Sequence, residues 1–484
     1  MVEAGALIDA ARDRRGWQNV NVSFLQDLLN SVAEQGRQYL PWAQGEDEDL
    51  LTLAKALVSG RGEASGVAIA REILDLWRTR SADDRRAFYR FLAEGLEPEP
   101  KAVKAMAEAY LASPTPLSLA RLQNAVESPR QEFFRRLNLA PGATATIVEM
   151  RRDILRELPS MPQLKNIDQD LRHLLVSWFN RGFLVLRRID WNTPAVVLEK
   201  IIAYEAVHEI KGWTDLRRRL EPSDRRCFAF FHPSLVDEPL IFVEVALMNE
   251  IPDAIEPVLA APLKPGKPTT PTTAVFYSIS NCQEGLKSIS FGHFLIKQVV
   301  EELARELPSL TTYVTLSPVP GFARWLNRAM SDGKAAEITP QERASLAGLS
   351  DDAWMNDPAL ADRLEAPILT MAAKYLLSGK SDDGRPVDPV ARFHLGNGAR
   401  LDRINWPADR SPRGLREAHG LMVNYRYEIK EIEANHEAFA NEGRVVASRQ
   451  VRNLVKSPDR LAVPQRLLGA ALEGPVSLSG AKSK

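Results

Sequence analysis

The chain has 484 residues, of which 45% are hydrophobic and 26% charged, and its 62 basic and 63 acidic side chains leave a formal net charge of -1. That length exceeds one ordinary core and predicts two or three domains, and the charge balance excludes a global pull toward nucleic acid or an anionic membrane. Cys227 and Cys282 form no CxxC pair, so neither a disulfide framework nor a thiolate zinc site is expected. No run approaches the roughly 20 apolar residues of a membrane span. The opening MVEAGALIDAARDRRGW has no long apolar stretch and carries Glu3 and Asp9, which predicts a reducing, cytoplasmic location.

In chain order, residues 1–183 read as helices. Leu50, Leu51, Leu53, Ala54, Leu57 and Val58 recur at helical spacing, as do Ile69, Ile73, Leu76 and Trp77. Ser81 with Asp84 reads as an N-cap with an acid in the first turn. EPEP (97–100) and SPTP (113–116) separate helices. This region holds no catalytic motif and is expected to serve packing or oligomerisation.

The texture changes near residue 184. A short apolar run, FLVLRRIDW, precedes a helical stretch expected from about Pro194 to Leu220. Three runs then read as strands, rich in β-branched and aromatic residues: CFAFFH (227–232), LIFVEVALM (240–248) and AVFYSIS (274–280). A helix follows from about Gly292 to Leu307, with Leu295, Val299 and Leu303 on one stripe. YVTLS (313–317) reads as another strand. A helical insertion is expected near 331–390, opened by a capping box at Thr339 and Glu342 with Pro340 between them. Strand-like pieces return at 391–406 and 420–429. The class is therefore α+β: an all-helical domain over 1–183, then a mixed-sheet domain over 184–484.

Four segments are chemically suggestive. In AVFYSIS-NCQEGLKSISFG-HFLIKQVVEEL, a strand and a Gly-containing loop lead into a helix N-terminus, which suits a phosphate; a bulged turn is the plain alternative. In TLSPVPGF, Pro318 and Pro320 stiffen the backbone beside Ser317, which is either a positioned hydroxyl or an ordinary turn residue. In RFHLGNGARLDRINW, His394 lies in a short extended segment and reads as a proton donor or as a core histidine; Asn397 reads as a ligand-directed amide or as turn chemistry. Tyr425 and Tyr427 fall on one side of a strand, either facing a substrate or packed as core. No histidine spacing supports a metal site, and there is no GxSxG elbow.

Taken together, YEAVHEIKGWTDLRRRL (204–220), FYSISNCQEGL with FGHFLIKQVV (276–300), LSPVPGF (316–322), FHLGNGA (393–399) and GLMVNYRYE (420–428) resemble the malonyl-CoA decarboxylase family, in its order and approximate spacing. The resemblance implies a helical N-terminal domain, a GNAT-like (acyl-CoA N-acyltransferase) C-terminal domain and a carboxy-lyase of fatty acid metabolism that converts malonyl-CoA to acetyl-CoA and CO₂. It implies a catalytic set of Ser317, His394 and Tyr427. It also implies an acyl-CoA-contacting loop of Lys287, Ser288, Ile289, Ser290, Phe291, Gly292 and His293; Asn397, by its own amide, is expected as a further substrate contact. Ser290 departs from relatives that carry an acid there, so no loop carboxylate is implied.

The thioester carbonyl is itself an electron sink, so this chemistry requires no metal, biotin or pyridoxal cofactor. His394 is the expected proton donor, because imidazolium exists near neutral pH. The expected partners are malonyl-CoA and acetyl-CoA, with no nucleic acid and no membrane, in a homo-oligomer (dimer or tetramer). A GNAT-type N-acyltransferase is the competing class. A non-catalytic CoA-binding regulator is the third.

Overall fold

The computed structural model describes residues 31–32, 34–35 and 49–456, apart from 60–61, 261–269, 290–294, 333–337, 350–352 and 382–383. From Leu50 to Trp178 the regular structure is helical. The expected start at Ser81 is present: its hydroxyl accepts from the Asp84 N–H at 3.2 Å and caps the helix Ala82–Gly95. Helices Pro100–Ala112 and Pro116–Val126 begin at the prolines of EPEP and SPTP, where the missing N–H costs no hydrogen bond.

The rest of the described chain builds on one mixed sheet. Its strands are β1 (Val185–Ile189), β2 (Arg225–Phe231), β3 (Pro239–Met248), β4 (Thr273–Asn281), β5 (Thr312–Thr315), β6 (Ser317–Pro318), β7 (Arg400–Asn405) and β8 (Met422–Arg426). The spatial order is β1-β2-β3-β4-β5-β8-β6, with β7 also paired to β8. Strands β1 to β4 are antiparallel neighbours. β4 and β5 are parallel and are joined by the helix Leu295–Glu306. This is the α+β arrangement expected, helices first and a mixed sheet after them.

The sheet is buried on both faces, which is why β3 reads as a nearly continuous apolar run. Ile241, Val243, Val245 and Leu247 enter the same core as Val148 and Ile154 of the helical region. Phe242, between them, points to the opposite side, with Val197, Ile201 and Leu216. The expected 194–220 helix is in fact two, Ala195–Tyr204 and Trp213–Leu220. Glu205 causes the break: its carboxylate accepts from the Val207 and His208 N–H groups and from the Ser278 hydroxyl of β4, so side-chain bonding replaces helical bonding there.

Between 331 and 390 the regular elements among the described residues are helices, apart from an isolated bridge between Lys380 and Pro386, and the capping box at Thr339 and Glu342 forms as expected. The segment holding His394 is different. Residues Pro389–Gly396 form a helix, not an extended piece. Asp388 caps it, accepting from the N–H groups of Val390 at 2.9 Å and Ala391 at 2.8 Å, and Pro389 occupies the first helical position. Gly398 ends it at φ 81°, where a Cβ would lie 2.1 Å from the Ile432 carbonyl oxygen.

Candidate active site

β4 and β5 pair in register from Thr273↔Thr312 to Phe276↔Thr315 and no further. β4 continues to Asn281, whereas its partner strand meets Pro318 and Pro320, and Pro318 lacks the N–H a ladder would need. The strands part around a cavity of about 220 Å³. Phe276, Tyr277, Ile279 and Asn281 of β4 form one wall, with Ser317 and Pro318 opposite. Val207 and the helix residues Pro389, Val390, Phe393 and His394 close the remainder. The three-to-four-residue helical period puts Pro389, Val390, Phe393 and His394 on one face, which explains why they reach the same space.

The cavity wall carries a hydrogen-bonded chain. Ser317 Oγ and His394 Nε2 are 3.0 Å apart, and His394 Nδ1 lies 2.9 Å from the Tyr427 hydroxyl. Ser317 donates its hydrogen to Thr315 Oγ1 at 2.8 Å, and Thr315 Oγ1 also accepts from the Tyr425 N–H at 3.1 Å. With its one hydrogen given to Thr315, Ser317 Oγ is the acceptor toward His394. Nε2 therefore carries the imidazole hydrogen, and Nδ1 accepts from the phenol. Tyr425 stacks on the imidazole, with centroids 4.6 Å apart and planes at 23°.

Burial pushes the His394 imidazole down to about 3, because no charged partner offsets the loss of water. The expectation of an imidazolium at neutral pH is corrected: the buried ring is neutral. Between pH 6.5, where a histidine in the unfolded chain gains a proton, and pH 3, where the folded one does, the unfolded state binds more protons. Stability therefore falls as the pH falls through that window, by about 1.4 kcal/mol per unit for this residue. Thermal melts at pH 7 and pH 5 are expected to show a smaller acid loss in His394→Gln than in the unsubstituted chain. Equal losses would contradict a neutral buried imidazole.

Several expected site residues lie elsewhere. Tyr427 is behind the histidine and does not line the cavity. The Asn397 amide turns back to donate to the Phe393 carbonyl at 2.8 Å, holding the end of its own helix instead of facing the cavity. Lys287, Ser288 and Ile289 are also absent from the lining; Lys287 and Ser288 are exposed and Ile289 is buried. Ser290, Phe291, Gly292 and His293 lie outside the described residues. Thr315 was not anticipated, although its two-residue spacing from Ser317 puts both hydroxyls on one side of an extended chain. Among the described residues, no cluster of three or more His, Cys, Asp or Glu side chains is arranged to hold a metal ion. None of the described helices is long and apolar enough to cross a membrane.

The chain matches the family model for the malonyl-CoA decarboxylase C-terminal domain over residues 182–463 and that for the N-terminal domain over residues 96–179. It is similar to the crystal structure of malonyl-CoA decarboxylase from Rhodopseudomonas palustris at 53% identity and a TM-score of 0.81, covering 84% of this chain and 98% of that one. The malonyl-CoA decarboxylase from Agrobacterium vitis gives 53% identity and a TM-score of 0.79 over 84% of this chain and 100% of that one. A curated relative from Anser anser anser, malonyl-CoA decarboxylase, mitochondrial, is 36% identical over 353 residues, 68% of this chain and 70% of its own length. These relatives and the fold define an enzyme of the decarboxylase class. Within it, the chain belongs to the malonyl-CoA decarboxylase family.

Proposed function

We propose that this chain decarboxylates malonyl-CoA to acetyl-CoA and CO₂, with Ser317 and His394 acting on the malonyl group. The observation that carries the reading is the 3.0 Å Ser317–His394 contact in the wall of the cavity between β4 and β6. The substrate's carboxylate would enter among Val207, Phe276, Ile279, Val390 and Phe393. An apolar wall disfavours a localised carboxylate more than a delocalised enolate, which favours release of neutral CO₂.

The electron pair of the breaking carbon–carbon bond moves into the thioester, giving the enolate and CO₂. The Ser317 hydroxyl turns its hydrogen from Thr315 to the developing oxyanion and donates to it. A bound carboxylate beside His394 places a negative charge next to the ring, and this favours the imidazolium form. His394 then delivers a proton from Nε2, the nitrogen on the Ser317 side, to the enolate carbon. Tyr427, bonded to Nδ1, orients the ring and accepts from it once it is charged. Malonyl-CoA incubated in the presence of EDTA should yield acetyl-CoA and CO₂ in equal amounts. Activity abolished by EDTA and restored by a divalent ion would contradict this mechanism, and acyl transfer to an added amine without CO₂ would favour the N-acyltransferase reading.

Catalysis then falls to residues 184–484 and assembly of a homo-oligomer to residues 1–183. Helices Pro100–Ala112 and Pro116–Val126 support the second part: they bury no residue in the single chain and expose Leu111 at 77% and Leu117 at 62%. Leu111→Glu with Leu117→Glu is expected to lower the mass found by light scattering without changing the circular dichroism. An unchanged oligomeric mass would remove these helices from the interface.

A further inference from the structure

The helical region grips the turn that follows β4. At Gly285, an added Cβ would lie 1.9 Å from the carbonyl oxygen of Val148 in the helix Ala143–Glu157. One helical turn along, Arg151 is only 1% exposed. Its Nη1 donates to the carbonyl oxygens of Gly285 at 2.6 Å and Lys287 at 3.0 Å, and its Nε donates to Asp168 at 2.8 Å. Arg156, on the same helix, pairs with Glu284 at 2.5 Å. Leu286 and Ile289 drop into the apolar core that holds Val148 and Ile154. Burying a guanidinium is costly unless its hydrogen bonds are well made, and here two of them go to the backbone of a turn whose Lys287 and Ser288 are exposed.

The peptide plane carries the consequence. A trans peptide holds its C=O and N–H on opposite sides. With the Lys287 carbonyl drawn inward to Arg151, the Ser288 N–H is directed outward. Ser288 has φ 64°, and the N–H groups on either side are bonded within the turn, Lys287 to the Glu284 carbonyl at 3.0 Å and Ile289 to the Leu286 carbonyl at 2.9 Å, so the Ser288 N–H is the donor of this turn that faces outward. Lys287 adds a cation at the same place.

We infer that Arg151 is a positioning residue for substrate binding: from the helical region it holds the Lys287–Ser288 peptide so that the Ser288 N–H, beside the Lys287 ammonium, receives a phosphate group of the acyl-CoA. This rests on the reading of the chain as acting on malonyl-CoA, and it gives the helical region a part in substrate recognition besides assembly.

The test is steady-state kinetics of the full chain on two substrates, malonyl-CoA and the malonyl thioester of N-acetylcysteamine, which lacks every phosphate. Arg151→Met removes the grip on the turn. Arg151→Lys keeps the charge facing Asp168 but loses the planar fork, and it serves if the methionine variant does not fold. For malonyl-CoA, kcat/KM is expected to fall by about 10- to 100-fold, mainly through KM, the scale of a lost charge-assisted phosphate contact. For the short thioester it should stay within about twofold, since the substrate presents nothing to that turn. Equal losses on both substrates, or no loss on either, would overturn the inference and leave Arg151 as packing. Lys287→Ala separates the two levels. A loss confined to malonyl-CoA in Lys287→Ala but absent in Arg151→Lys keeps the loop reading and removes Arg151. No loss in either variant removes both.

Discussion

His394→Asn is expected to lower the turnover of malonyl-CoA by about 10²–10⁴-fold, the usual scale for losing a general acid, with KM changed far less. Asparagine retains a hydrogen-bonding amide for Ser317 or Tyr427 but cannot take up and release a proton near neutral pH. The enolate would still form and would wait for a proton from water. The ring also packs against Tyr425 and Phe393, so circular dichroism and a thermal melt must show that the variant folds. Near-normal turnover in a folded His394→Asn would remove the histidine from the mechanism.

Ser317→Ala is expected to cost about 10²-fold or more in kcat, as for one donor lost at a developing oxyanion. It also deprives Nε2 of its 3.0 Å partner, leaving the imidazole hydrogen unaimed. Thr315 keeps its bond from the Tyr425 N–H in that variant, so the strand end should hold its shape. Because the two side chains act as one unit, the double variant should lose little more than His394→Asn alone. Multiplicative losses would mean that Ser317 and His394 contribute independently of their contact.

The strands were legible because burial on both faces leaves long β-branched and aromatic runs, and β3 is the plainest case. Ser317 at a strand end was legible from the prolines beside it. The helix under His394 was misread, since RFHLGNG offers only a short apolar run before its glycines. The useful signal lay upstream in Asp388-Pro389, an N-cap followed by proline at the first helical position. Asn397 illustrates the limit of local chemistry: an amide before a left-handed glycine caps a helix as readily as it meets a ligand.

The pairing of Ser317 with His394 spans 77 positions, and no periodicity reveals such a contact. Only the resemblance to a family had brought the two together. Arg151 and Gly285, 134 positions apart, carried no signal at all, because a buried arginine on a helix looks the same in sequence as an exposed one. The protonation state of His394 was equally hidden. It depends on what surrounds the ring, and Phe393, Tyr425 and Tyr427 bring no charge to it.

Solvent deuterium in the product tests the central claim most directly. Malonyl-CoA turned over in D₂O, with unreacted substrate recovered to correct for exchange, should give CO₂ and acetyl-CoA carrying one deuterium per turnover, since the His394 proton equilibrates with solvent before it reaches the enolate carbon. Recovery of the malonyl group intact on an acceptor, or of acetyl-CoA with no solvent deuterium, would contradict decarboxylation through a protonated enolate.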